Sequence, residues 1–265
     1  MDKSSLRSLY LELVKKSLLG LIHEDIPLAT FDSFDVGGAD FAPTAYRPDL
    51  RRAGQDWPSR AFSMIGLRRM DHLHECVREV IDGRVPGDLI ETGAWRGGAC
   101  IFMRAVLKAY GITDRTVWVA DSFEGFPQPD VEHYPADEGL DLTPFRPIMG
   151  VSADEVRRNF ERYGLLDAQV RLLEGWFANT LSTAPIERLA ILRLDGDLYE
   201  STYQALEALY SKLSRGGICI VDDYHLEACS AAVEDYRRRR GVDEEIVSID
   251  GHGVFWRRAD EGPAF

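Results

Sequence analysis

Three observations predict an α/β fold built on a doubly wound, mostly parallel sheet. From Gly87 onward, short apolar runs alternate with helical patterns, as a parallel sheet with crossover helices requires. The first of these runs, DLIET (88–92), leads straight into a turn containing Gly93, Gly97 and Gly98. Two later segments, LAILRLDGDLYES (189–201) and GGICIVDDYH (216–225), are apolar runs that stop abruptly in carboxylates. If these are neighbouring parallel strands, Asp195, Asp197, Asp222 and Asp223 meet at one sheet edge, where they need a cation or shared protons.

The elements follow in order. Residues 4–21 set Leu6, Leu9, Tyr10, Leu13, Val14 and Leu21 three and four apart, lining one face of a helix that packs on the main domain or serves a dimer or lid. Residues 26–58 read as a long loop rich in Pro, Gly, Asp and aromatics, as an active-site cover would be, and Phe31, Phe34, Phe41 and Tyr46 suggest an apolar acceptor body. Together, 1–58 form an N-terminal helix and loop segment, and 59–265 the principal domain. Ile65, Leu67, Met70, Leu73, Cys76, Val77 and Val80 trace a second helix ending near Gly83; His72 and His74, two apart, point to different faces and read as structural. The sheet domain then runs as strand 88–92, helix 97–110, strand 116–120, helix 152–163 and strand 169–173. Strand 189–194, helix 200–213, strand 217–221 and helix 228–239 complete the alternation. The acidic, proline-rich loop 126–149 reads as a lid, and EEIVSIDGHGVFWRR as a closing hairpin through Gly251-His252-Gly253. A parallel sheet closed by an antiparallel hairpin strand is the Rossmann-like arrangement of class I methyltransferases.

Composition narrows the partners. With 265 residues, 45% of them hydrophobic, the chain can bury one large core. A net charge of −13 argues against nucleic acid, which is bound by clustered Lys and Arg. The run Arg237 to Arg240 is the exception and reads as a solvated basic helix face. Cys76, Cys100, Cys219 and Cys229 lack metal spacing and read as buried thiols of a reducing compartment. No run is long enough to span a membrane, and Lys15 and Lys16 interrupt any leader, so a cytoplasmic protein is expected.

The glycine turn after strand 88–92 implies a close backbone approach to a ligand. Its spacing is not that of dinucleotide enzymes, and Glu91, two residues before Gly93, would repel a pyrophosphate but accommodate the ammonium end of S-adenosylmethionine. Asp121, at the tip of the next strand, can accept hydrogen bonds from both ribose hydroxyls. Gly175 and Trp176 could form an adenine wall, and the same pocket is expected to include Met64, Thr92, Ser122 and Phe123.

Asp195, Asp222 and Asp223, all oxygen donors at strand ends, suit a hard divalent ion, Mg²⁺ first. Such an ion would bind an acceptor hydroxyl; lowering its pKa by ~3 units removes roughly 4 kcal/mol from deprotonation. Asp197 can face the same pocket as the base, with His225 the competing candidate.

Taken together, ETGAWRGG, ADSFEGFP, EGWFANTL, LRLDGDLYEST and VDDY resemble the macrocin O-methyltransferase family over about Trp57 to Trp256. The resemblance implies S-adenosylmethionine as donor and Mg²⁺ held by Asp195, Asp222 and Asp223, with Asp197 matching the base of the noviose-methylating type. It also implies a homodimer with mobile lids and a small-molecule glycoside acceptor, whose deoxysugar hydroxyl is methylated in antibiotic biosynthesis. The alternatives are a catechol-type O-methyltransferase acting on a phenolic diol, or a non-catalytic module that binds an adenosine ligand.

Overall fold

The computed structural model describes residues 3–30 and 43–259; Phe31, Phe34 and Phe41 lie outside them. Its helices are α1 (Lys3–Leu18), α2 (Pro48–Ala53), α3 (Gly66–Asp82), α4 (Gly98–Tyr110), α5 (Arg146–Met149), α6 (Ala153–Arg162), α7 (Phe177–Thr180), α8 (Tyr199–Leu209) and α9 (Glu227–Arg240). Its strands are β1 (Pro27–Thr30), β2 (Asp56–Pro58), β3 (Asp88–Thr92), β4 (Val117–Asp121), β5 (Val170–Glu174), β6 (Leu189–Leu194), β7 (Leu213–Val221), β8 (Val247–Ser248) and β9 (Val254–Arg257).

The main sheet has the order β5-β4-β3-β6-β7-β9-β8. Strands β3 to β7 are parallel, and β9 runs antiparallel between β7 and β8. All six residues of β6 are buried, as expected of a strand covered on both faces. Alternate residues feed two cores. Leu89, Val119 and Ile191 pack with α1, α3, α4 and α6. Ile90, Ala120 and Leu192 pack with α8 and α9. Strands are added outward from β3 to β4 and β5 and then on the other side of β3 from β6, so the crevice between β3 and β6 is the switch point where such sheets bind ligands.

Helix α1 differs from the expected packing. It buries Leu11, Val14, Lys15 and Leu18, while Leu6, Leu9 and Leu13 stay 52–60% exposed. The helix carries two apolar rows of similar spacing, and the core takes the one containing Lys15, whose ammonium pairs with Glu12 at 2.7 Å and Asp71 at 2.5 Å. The stretch read as loop also contains short elements, with β1 and β2 pairing as a separate antiparallel ribbon. Their clasp is Arg51, wholly buried, which donates to Asp56 Oδ1 (2.6 Å), the Asp25 carbonyl (2.7 Å) and the Leu19 carbonyl (3.1 Å).

Other expectations stand where they were placed. His72 lies against the Cys76 thiol and tilts on Phe255, and His74 meets Phe102 edge-on, both as structural residues. All four cysteines are free and buried. The basic run is paired: Arg237 lies over Trp256, Arg238 meets Asp235, Arg239 donates to the Tyr203 hydroxyl and Arg240 meets Glu207. Among the described residues, no helix is long and apolar enough to cross a membrane.

Candidate active site

Strand register assembles the site. Thr92 pairs with Ala120 and with Leu194, and Leu194 with Val221. The next residue on each strand therefore falls in one row along the carboxyl edge: Asp121, Gly93, Asp195 and Asp222. The row is interlocked, since Gly93 N–H donates to the Ala120 carbonyl, Asp195 N–H to that of Thr92 and Asp222 N–H to that of Leu194, at 2.8–2.9 Å. A Cβ on Gly93 would lie 1.6 Å from the Asp195 carbonyl oxygen. The close approach that the sequence assigns to a ligand is thus made by the neighbouring strand end. Gly98 is confined the same way by the Phe62 carbonyl, 2.3 Å from where its Cβ would stand.

Above the row opens a cavity of about 650 Å³. Met64, Glu91, Gly93, Asp121, Ser122 and Trp176 line it together with Asp195, Asp197, Asp222, Asp223 and His225. Thr92, Phe123 and Gly175 are not in its lining; they hold the residues that are. Phe123 N–H donates to Asp121 Oδ1 (2.8 Å), and Gly175 N–H to the Asp121 carbonyl (3.0 Å). Asp121 Oδ2 accepts from Ala94 N–H (2.8 Å) and Trp95 N–H (3.0 Å), while burial pushes the carboxyl pKa up against these bonds. Oδ1 takes the Phe123 N–H and, loosely at 3.4 Å, the Ser122 hydroxyl, and that loose contact is the one a ribose hydroxyl can replace.

The carboxylates already hold two buried cations. Arg193, 1% exposed, gives one terminal nitrogen to Glu91 and, at 2.6 Å, to Asp195, and the other to Asp222. Arg69 donates to the second oxygen of Asp222 and lies 3.2 Å from Asp250. Glu91 therefore faces neither water nor the cavity alone; its other oxygen accepts from the Cys100 thiol. Both arginines escape a reading of the sequence, although an Arg inside an otherwise apolar strand is a signal, because buried charge demands a partner.

Two guanidiniums do not balance the acids around them. Glu91, Asp195, Asp197, Asp222, Asp223 and Asp250 exceed Arg69 and Arg193 by four formal charges. Burial first, and then mutual repulsion, pushes the Asp195 and Asp223 carboxyls up, and Asp197 to about 8. Burial, with Asp195 and Asp222 nearby, takes Glu91 to about 7. Ligand oxygens of Asp195, Asp222 and Asp223 all lie within 4.8 Å of one another. An all-oxygen, electron-rich set of this kind fits a hard divalent cation, which would relieve half of the charge excess. Asp197 stands beside the set at backbone φ 58°, its N–H donating to Asp223 Oδ2 at 3.1 Å. Trp95 (47°) and Phe123 (58°) share this left-handed backbone, which costs an L-residue roughly 1–2 kcal/mol. Glu24 (49°) and Arg84 (52°) adopt it too, away from the cavity, so the backbone alone does not mark these positions as functional. His225 sits at the mouth against His252, ring centres 4.5 Å apart, with its pKa lowered to about 4 chiefly by desolvation.

The 126–149 segment roofs the cavity. Buried Asp137 accepts from Tyr199 N–H (2.7 Å) and Glu200 N–H (3.0 Å), fastening the segment to the first turn of α8. Phe145 meets Trp57 edge-on at 5.1 Å, and Phe126, Leu140 and Leu142 add apolar wall.

Residues 7–258 match the family model described as Macrocin-O-methyltransferase (TylF). The chain is 54% identical over 251 residues to the 8-demethyl-8-(2,3-dimethoxy-alpha-L-rhamnosyl)-tetracenomycin-C 4'-O-methyltransferase of Streptomyces olivaceus, covering 95% of this chain and 93% of the relative. It is 48% identical over 258 residues to the demethyldecarbamoylnovobiocin O-methyltransferase of Streptomyces niveus, covering 97% and 96%. Among solved structures, the O-methyltransferase NovP superposes with a TM-score of 0.87 at 48% identity, over 96% of this chain and 99% of that one. The calicheamicin methyltransferase CalS11, with a TM-score of 0.60 at 20% identity over 75% of this chain and 82% of that one, shares the fold.

Proposed function

The chain belongs to the macrocin O-methyltransferase family, and we propose that its acceptor is a deoxysugar hydroxyl on a glycosylated secondary metabolite and that Mg²⁺ assists the transfer. It is an S-adenosylmethionine-dependent O-methyltransferase by that membership. The observation that carries the proposal is the gathering of Asp195, Asp222 and Asp223 within 4.8 Å, with Asp197 alongside, on the floor of the cavity that Gly93 and Asp121 also line.

A divalent ion held by Asp195, Asp222 and Asp223 would supply positive charge where the acceptor oxygen becomes an alkoxide. The chain's own residues do the rest. Asp121 and Trp176 line the adenosine end, and Glu91 the end toward the strand crevice. Asp197 takes the hydroxyl proton from inside the cavity; His225, at the mouth, is less well placed for it. The roof of residues 126–149 holds the acceptor in line with the sulfonium methyl and keeps water out, which is where most of the acceleration of a displacement reaction arises. The apolar wall of Trp57, Phe126 and Phe145 suits the aglycone. An acceptor of this class is supported by the rhamnosyl and novobiocin substrates in the names of the relatives. A cytoplasmic homodimer completes the proposal, supported by the exposed row Leu6, Leu9 and Leu13 on α1.

The test is a panel of deoxyhexosyl polyketides, aminocoumarins and macrolides beside aryl diols, assayed by mass spectrometry for the gain of one methylene. Each is run in Mg²⁺ and in EDTA. Methylation of a glycoside that stops in EDTA is the expected outcome; turnover of aryl diols alone, or full activity without free divalent ions, overturns it.

A further inference from the structure

We propose that Arg193 and Arg69 are positioning residues that preset the cation-binding carboxylates, and that Arg193 also ties this set to the donor end through Glu91. The inference rests on the cation reading above and assigns a task to two residues that the proposed transfer leaves unused, Arg69 in the cavity wall and Arg193 behind it.

Asp222 is the hinge of the argument. One of its oxygens is held by Arg193, rising from within β6, and the other by Arg69, reaching across from α3. A carboxylate gripped on both oxygens cannot rotate, so its remaining lone pairs point in one direction before any ion arrives. Arg193 adds a second restraint by binding Asp195 at 2.6 Å with the nitrogen that also meets Glu91. One planar guanidinium therefore sets the spacing of three strand ends, β3, β6 and β7. An ammonium lacks that fork and cannot reproduce it.

Stability alone is a poor reason for these arginines. Burying a guanidinium forfeits its hydration, and buried ion pairs replaced by well-packed apolar residues often leave a protein as stable or more so. Two such residues directly beneath the ligand set are better explained by what they orient, since partners that orient metal ligands carry much of a site's affinity. The connections differ in a way that can be read out. Arg69 touches Asp222, Asp250 and the Gly54 carbonyl (3.4 Å) but not Glu91. Arg193 alone spans both ends.

The experiment uses the full chain, Mn²⁺ as probe ion followed by electron paramagnetic resonance, and S-adenosylhomocysteine binding followed by calorimetry. Arg193→Lys and Arg69→Lys are each expected to weaken Mn²⁺ binding by roughly 10–100-fold. Arg69→Lys leaves S-adenosylhomocysteine affinity unchanged, whereas Arg193→Lys weakens it as well. Mn²⁺ affinity equal to wild type in either variant, or equal loss of both ligands in both variants, overturns the assignment. Should Arg193→Lys fail to fold, Arg69→Lys decides alone, by losing Mn²⁺ while keeping S-adenosylhomocysteine or by failing to do so. A wild-type chain that binds no Mn²⁺ defeats the cation reading itself, and is thereby distinguished from variants that merely match a binding wild type.

Discussion

Asp197 combines three unfavourable circumstances: left-handed backbone at φ 58°, burial, and the charges of Asp195 and Asp222. Asparagine keeps the shape, tolerates the backbone and removes the charge. Asp197→Asn is therefore expected to lower kcat by about 10²–10⁴-fold, the usual share of a general base, while melting at or above the wild-type temperature. Wild-type kcat in that variant would move the base to His225. A second residue sets a pH dependence of stability. Burial lowers the His72 pKa to about 4 from an ordinary 6.5. Above 6.5 both folded and unfolded chains hold it neutral; as pH falls from 6.5 toward 4 the unfolded chain takes the proton first, and stability is lost. The loss is up to about 3 kcal/mol, less what partial solvent contact screens, so melting temperatures of wild type and His72→Gln should converge as pH falls from 7 to 4. The acids of the site were legible because strand ends in an α/β sheet face ligands by rule, whereas Arg69 and Arg193 were not, because the links that matter, Arg69 to Asp222 and Arg193 to Glu91, join residues 153 and 102 positions apart along the chain.

Helix α8 begins with no cap of its own and borrows one from the roof, through the Asp137 carboxylate. Removing such a carboxylate from two helix N–H groups costs about 1 kcal/mol, within a range of 0.5–2. Here the cost falls on a contact between roof and floor, so Asp137→Ala should raise KM for the acceptor more than it lowers kcat. Limited proteolysis should also cut faster within 126–149; unchanged cleavage would separate Asp137 from closure. At this scale, periodicity located β3, β4, β6 and the long helices because each is buried on both faces or amphipathic. It missed β1, α2 and β2, which are too short to have a period and depend on Arg51 for their place. It could not say which row of α1 enters the core, since two apolar rows run along one helix and only the tertiary core selects between them.

Across the whole molecule, a formal net charge of −13 repels itself, and the carboxyls that outnumber their arginine partners by four are concentrated at one sheet edge, where raised pKa values let protons take up part of the excess. Two kinds of salt effect should therefore be separable. Monovalent salt screens the dispersed surface charge and raises the melting temperature gradually, with a screening length near 10 Å at about 0.1 M. A divalent ion bound by the folded chain alone adds about 2.7 kcal/mol when present at a hundred times its Kd, whatever the surface screening. The expected result is a melting-temperature rise on adding Mg²⁺ that persists in high NaCl, which calorimetry can follow. Asp223→Asn is the matched control, because its Oδ2 meets only the Asp197 N–H, so neither buried arginine loses a partner. That variant should retain the response to NaCl and lose the response to Mg²⁺. If it keeps both, the divalent ion stabilises the chain through its general negative field, and the strand-end carboxylates are not its site.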